Sequence, residues 1–314
     1  MLAGDRLALA RLITHVENRT SAVPEIMRAV HSRAQDAYVV GITGPPGAGK
    51  STVVDRLTAM FRAEDITVAI VAVDPSSPFS GGAVLGDRIR MQAHALDPGV
   101  FIRSMATRGS VGGLARATGE VIKLFAAFGF SWILVETVGV GQTELDIMQM
   151  ADTTAVVLVP ESGDAIQTMK AGLMEAADVF VVNKADRPGA AGLMAELKFA
   201  AHLHVASPTT PKDIEWEIPV LATEAQNNTG MAELLGEIRR HRAVLETSGA
   251  LASRRRARRR TELEALLVDE LRARVKQRIQ AGDLSRTFDD VATGALDPYS
   301  ATEAILARAD LLAE

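Results

Sequence analysis

From Tyr38 onward, short and almost unbroken apolar runs rich in β-branched residues alternate with longer stretches of helical periodicity. The runs are YVVGIT, TVAIVAVD, VFIRSM, WILVET, TAVVLVP, VFVVNKA and PVLATEA. A strand with one wet face would alternate apolar and polar side chains, so continuous apolar character predicts parallel strands covered on both faces. Segments such as STVVDRLTAMFRA, GLARATGEVIKLFAAFG and AIQTMKAGLMEAAD supply the intervening helices. The alternation predicts an α/β, doubly wound, mainly parallel sheet with helices on both faces. Ligands of such folds sit beyond the carboxyl ends of the strands, and the residues with chemical capacity fall there.

Outside that alternation the pattern changes. Residues 1–37 read as an N-terminal helical extension and residues 38–249 as the sheet-bearing domain. After Gly249 the strands stop, and ASRRRARRRTELEALLVDELRARVKQRIQ predicts one long charged helix, the start of a helical arm and tail over residues 250–314. Along it Leu263, Leu266, Leu267, Val268, Leu271, Val275 and Ile279 recur at spacings of three and four, a stripe that predicts a homodimer contact. The arginines of residues 254–260 read as a solvated helix face, with Arg258 and Arg260 four residues before Glu262 and Glu264. No aromatic residue interleaves with them to stack on nucleic-acid bases.

The 314 residues are 47% hydrophobic and 23% charged, which suits a globular core, but only 4% aromatic, so Ala, Val, Leu, Ile and Met must build it. A net charge of −5, from 34 basic and 39 acidic residues, gives no overall attraction to nucleic acid or an anionic membrane. Any anion site must therefore be local. There is no cysteine, which removes disulfides, thiolate catalysis and Cys-ligated zinc and suits a reducing cytoplasm. The longest nearly apolar stretch, VIKLFAAFGFSWILV, contains Lys123 and is shorter than the ~20 residues of a membrane span. The N-terminal MLAGDRLALARLITHVEN carries charges inside its apolar part, unlike a secretory signal. His202 and His204 read as part of a helix end and not as half a metal site.

The local anion site is GITGPPGAGKST. Gly44, Pro45, Pro46, Gly47, Ala48, Gly49, Lys50 and Ser51, followed by Thr52, match G-x-x-x-x-G-K-S/T after a strand and at the opening of a helix. Backbone N–H groups around Gly47, Ala48 and Gly49 can curl round a phosphate, and the helix N-terminus adds partial positive charge. Lys50 can reach the β- and γ-phosphates, and the Ser51 hydroxyl is a ligand for Mg2+. The base is read further on, by Asn183, Lys184, Ala185 and Asp186 after the run VFVV. A carboxylate at Asp186 can accept from both N1–H and the exocyclic amine of guanine. Adenine would leave it unpaired, and sites of this kind discriminate by about 10⁴–10⁵. The ligand implied is GTP, with GDP as its product.

A GTP hydrolase also needs an acid near the metal and a glycine beside the γ-phosphate. WILVET ends in Glu136, Thr137, Val138 and Gly139, where many GTPases carry D-x-x-G. The acid here is glutamate, and Gln142 lies three residues past the glycine, so the catalytic arrangement of the small signalling GTPases does not transfer. Asp74 in VDPSSPFSGG and Asp87 in LGDRIRM are candidates for the magnesium shell, with a strand-end turn and a helix cap as the structural alternatives.

VDPSSPFSGGAVLGDRIRM, FIRSMATRGSVGGLARAT, ILVETVGVGQTELDI, ESGDAIQTMKAGLMEAADVFVVNKAD and ALDPYSATEAIL together resemble the methylmalonyl-CoA mutase-associated GTPases of the MeaB family, also named ArgK or LAO/AO transport system kinases. The resemblance implies a homodimeric P-loop GTPase that chaperones adenosylcobalamin-dependent methylmalonyl-CoA mutase, or a related acyl-CoA mutase, gating cofactor loading, protection and reactivation. It implies that Lys50, Ser51 and Thr52 serve phosphate and Mg2+, that Asp74, Asp87 and Glu136 are the magnesium-site acids, and that Asn183 and Asp186 read guanine. Residues 161–172, with Asp164, Gln167 and Lys170, match a further switch facing the mutase. Those three and Gln142 stand as alternatives for placing the attacking water. The base-side loop departs from the family's usual T-S-A: Thr223, Glu224 and Ala225, followed by Gln226, stand in its place, and Ser110 replaces bulkier residues. The rival functions are a nickel-insertion metallochaperone GTPase, which the lack of Cys- or His-rich metal sites disfavours, a nucleotide-dependent kinase, and a module that binds GTP without turnover.

Overall fold

The computed structural model describes residues 1–34, 37–74, 94, 96–106, 111–137, 148–161, 176–206, 214–282 and 284–307. Seven strands form one all-parallel sheet: β1 (Tyr38–Thr43), β2 (Val68–Asp74), β3 (Val100–Ala106), β4 (Trp132–Thr137), β5 (Thr153–Leu158), β6 (Val179–Asn183) and β7 (Val220–Thr223), in the order β3-β2-β4-β1-β5-β6-β7. The described helices are α1 (Arg6–Glu17), α2 (Val23–Val30), α3 (Lys50–Ala63), α4 (Val111–Phe128), α5 (Ala190–Ala206), α6 (Met231–Thr247), α7 (Ala250–Gln280), α8 (Ser285–Ala292) and α9 (Pro298–Leu306). The predicted doubly wound α/β fold is what the chain adopts. None of the described helices is long and apolar enough to cross a membrane. The run VIKLFAAFGFSWILV is the end of α4, a turn and the start of β4.

The unbroken apolar runs follow from burial on both faces. Successive strand residues point to opposite sides. Val39, Ala69, Val71, Val73, Ile133 and Val135 meet α1, α2 and α4 on one side. Val40, Ile42, Val68, Ile70, Leu134 and Val157 meet α3 and α6 on the other. Val156, Leu158, Phe180 and Val182 pack under α5. Arg6 and Arg103 fasten α1 to the edge strand β3: Arg6 donates to the carbonyls of Pro98 and Val100, and Arg103 pairs with Glu17.

The chain divides into two compact units, residues 1–251 and 252–314. In the second, α7 is solvated along most of its length, with Leu263, Leu267, Val268, Leu271 and Ile279 exposed. Arg260 reaches Glu264 at 3.3 Å. The DPYS stretch turns out to be a helix start: Asp297 caps α9 by accepting from the N–H groups of Tyr299 and Ser300, with Pro298 in the first turn.

At the amino ends of the strands, away from the nucleotide loops, a buried polar chain ties β1, β5 and α6 together. The Tyr38 hydroxyl lies 2.6 Å from Thr153 Oγ1, Thr153 Oγ1 lies 2.8 Å from His241 Nδ1, and His241 Nε2 lies 3.3 Å from Asp178 Oδ1. Burial pushes the Tyr38 hydroxyl well above its ordinary pKa. Thr153→Val keeps the shape but removes the hydroxyl shared by Tyr38 and His241, which should cost about 1–3 kcal/mol. The expected result is a lower urea midpoint with unchanged GDP affinity; an unmoved midpoint would show that the chain contributes nothing to stability.

Candidate functional site

The site forms where β1, β4, β6 and β7 end. The loop after β1 starts at Gly44, whose φ is +143° and whose added Cβ would lie 2.0 Å from the Val157 carbonyl oxygen, so only glycine lets the loop leave the sheet there. It closes at Gly49, with φ +89°, where a Cβ would lie 2.4 Å from Asn183 Nδ2. Gly49 is the N-cap of α3 and brings no side-chain acceptor, so the first-turn N–H groups stay available for an anion.

Lys50 is buried, and its Nζ donates to the carbonyls of Gly44 and Pro45 at 2.9 and 3.0 Å. Ser51 Oγ donates to Glu136 Oε1 at 2.6 Å. Glu136, buried near the end of β4, sits beside Ile42 of β1 and Ala72 of β2. The next residue, Thr137, donates to Thr43 Oγ1 at 3.0 Å and fixes the end of β4 against the start of the phosphate loop. A serine hydroxyl and a carboxylate are both hard oxygen donors, so this pair fits Mg2+ by chemistry. Asp74 is the last residue of β2, adjacent to β4. Pro46 and Gly47 are exposed, Ala48 is buried, and Pro45 and Thr52 are half-buried.

Asn183, at the end of β6, is almost wholly buried. Its Nδ2 donates to the Ala48 carbonyl at 2.8 Å, and its Oδ1 accepts from Thr223 Oγ1 at 3.2 Å and from the Ala225 N–H at 3.1 Å. The amide therefore joins the phosphate loop to the base-side loop. Lys184, in a left-handed conformation at φ +56°, donates to the Gly47 carbonyl at 2.8 Å. Asp186 is exposed beyond it. Ala185 N–H donates to the Thr223 carbonyl. Gln226 is exposed, and Glu224 is half-buried, with its carboxylate accepting from Asn227 Nδ2 at 3.1 Å.

Gly139, Gln142, Asp87, Asp164, Gln167 and Lys170 lie outside the described residues, as does Ser110. Of the segment 161–172, Glu161 is described: it pairs with Arg187, directly after Asp186, at 2.5 Å, and that hydrogen bond holds its carboxyl below the usual range. Sequence reasoning missed this pair, the Thr43–Thr137 contact and Arg56, which reaches the base-side loop from α3. None of them carries a motif.

A glycine-bounded loop on a helix N-terminus, a buried lysine, a serine–carboxylate pair and an N-K-x-D loop on one sheet edge define a P-loop nucleotide hydrolase of the GTPase class. Comparison with known proteins narrows this. The family model described as "Methylmalonyl Co-A mutase-associated GTPase MeaB" matches residues 9–280. A Pyrococcus abyssi protein named as a GTPase is 50% identical over 306 residues, covering 98% of this chain and 94% of the relative. The mouse protein named "Methylmalonic aciduria type A homolog, mitochondrial" is 30% identical over 321 residues, covering 98% of this chain and 77% of its own length. A crystal structure of an LAO/AO transport system kinase superposes with a TM-score of 0.71 at 27% identity, over 96% of this chain and 92% of that one. The chain belongs to the MeaB family and is a GTPase, with GTP and GDP as its nucleotides.

Asn183→Asp keeps the acceptor toward Thr223 and Ala225 but cannot donate to the Ala48 carbonyl and sets a negative charge against it. GDP affinity should fall about tenfold or more, with helical content preserved by circular dichroism. Unchanged affinity would mean that the Asn183–Ala48 link does not hold the site together.

Proposed function

We propose that this GTPase is a Mg2+-dependent chaperone of an adenosylcobalamin-dependent methylmalonyl-CoA mutase or a related acyl-CoA mutase, gating cofactor loading, protection and reactivation of that partner. The observation that carries the proposal is the match of residues 9–280 to a family whose description joins GTPase and mutase in one phrase. In this reading Asp186 accepts from guanine, Lys50 exchanges the Gly44 and Pro45 carbonyls for β- and γ-phosphate oxygens, and Thr52 lies against the phosphates. Ser51 and Glu136, with Asp74 and Asp87, would hold Mg2+, which would supply neutralisation of the phosphates' charge.

Phosphoryl transfer to water asks little covalent chemistry of a protein. Position and charge decide its rate, and missing parts are often supplied by a partner. Gln142, Asp164, Gln167 and Lys170 are the proposed candidates for orienting the water, the last three in a segment that answers to the mutase. The proposed active form is a cytoplasmic homodimer joined through residues 250–314. The support for that assignment is the exposed apolar stripe on α7, where Val268, Leu271, Val275 and Ile279 line one shallow groove with the stems of Arg272 and Lys276.

Phosphate release from GTP should be slow for the chain alone and rise severalfold or more when the mutase is added, with free phosphate as the only labelled product. No acceleration by any cobalamin-dependent acyl-CoA mutase of the source organism, or transfer of label to protein or metabolite, would contradict the proposal.

A further inference from the structure

The base-side loop is a self-contained turn. Glu224 and Thr229 exchange backbone hydrogen bonds at 3.0 and 3.3 Å, and the N–H groups of Asn227 and Asn228 fold back onto the carbonyls of Glu224 and Ala225. Asn228 closes the turn in a left-handed conformation, φ +59°. Stapled in this way, the loop is one compact turn, and its placement depends on what ties it to its surroundings. Asn183 supplies one tie, through the Ala225 N–H.

The other comes from α3. Arg56 Nε donates to the Ala225 carbonyl at 3.1 Å, and its Nη2 donates to the Gln226 carbonyl at 3.3 Å. Among the described residues the guanidinium makes no ion pair, so the charge is directed at two successive carbonyls of one turn. Hydrogen bonds from a charged donor are stronger than neutral ones. The planar fork presents its donors in a fixed geometry, which a flexible ammonium does not. Arg56 lies six residues after Lys50, about 9 Å further along the same helix. The helix that opens on the phosphates thus also carries the clamp on the base-side loop.

We propose that Arg56 is a positioning residue for guanine selection, holding the turn 224–229 in place beside the base-reading loop 183–186. The proposal rests on the reading of residues 44–51 and 183–186 as a guanine-nucleotide site. It completes a circuit: phosphate loop to Asn183, Asn183 to Ala225, Ala225 to Arg56, and Arg56 through α3 back to the phosphate loop. A base-side loop held at a fixed distance admits the base edge it is shaped for and not another, so fixing the loop discriminates as well as binds. Its loss loosens the base end and leaves the phosphate end intact, because Lys50 and Ser51 make their own contacts at the other end of the first turns.

The test is calorimetric titration of the full chain and of Arg56→Ala and Arg56→Lys with GDP, ADP and inorganic tripolyphosphate, each in Mg2+. Arg56→Ala should weaken GDP on the order of tenfold. ADP and tripolyphosphate should stay within about twofold, so the GDP-to-ADP preference falls by the same factor. Arg56→Lys, with one donor able to reach one carbonyl, should recover part of the loss. If Arg56→Ala does not fold, the same split between GDP and tripolyphosphate is read from Arg56→Lys. GDP affinity unchanged in both variants, or tripolyphosphate weakened as much as GDP, overturns the proposal. Equal GDP and ADP affinity in the unaltered chain would instead overturn the guanine reading on which it rests.

Discussion

A primary amide buried at a strand end must find partners for its N–H donors and its carbonyl lone pairs, or it costs more than it stabilises. Asn183 finds them in the Ala48 carbonyl of one loop and in the Thr223 hydroxyl and Ala225 N–H of another. Much of the site's construction follows from that requirement. Gly49 has no side chain because the Asn183 amide occupies the space a Cβ would take. Lys184 accepts a left-handed backbone, uncommon for a lysine, and its ammonium reaches the Gly47 carbonyl. Two loops separated by well over a hundred residues are thereby set at a fixed spacing.

The polar groups around the phosphate position already have partners. Lys50 rests on the Gly44 and Pro45 carbonyls, and Ser51 rests on Glu136. A loop held by such contacts avoids the entropy of ordering a slack one on binding. The helix N-terminus remains the standing attraction for an anion in a chain whose net charge is −5. Under the proposed function this division has a use: affinity is built into the loops that the strands hold, and turnover depends on residues that a partner aligns.

The strands were legible because a parallel sheet covered on both faces leaves its mark at every position, and each apolar run became a strand. Run ends were less legible. TAVVLVP starts one residue after β5 does and outlasts it, and PVLATEA contributes four strand residues before Glu224 turns away to pair with Thr229. The phosphate loop was legible because its function needs fixed spacing of glycines, lysine and serine. What Asn183 touches was not, since its motif puts it beside the base while tertiary partners turn its amide toward Ala48 and Ala225. Arg56 was invisible for a related reason: one arginine on an amphipathic helix is a solvated residue until a loop 169 positions away places two carbonyls within reach. The packing of α1 and α2 against α4 likewise has no local signal, because apolar stripes do not name their partners.

Whether Asn183 sets the spacing of the phosphate loop and the base-side loop is decided by a crystal structure of the complex with GDP and Mg2+. The Asn183 contacts to Ala48, Thr223 and Ala225 should persist in the complex, with Lys50 on the phosphates and the Asp186 carboxylate on the guanine edge. A complex in which Asn183 has left Ala48 or Ala225, or in which the loops at 44–51 and 223–230 have re-spaced to admit the nucleotide, would contradict it.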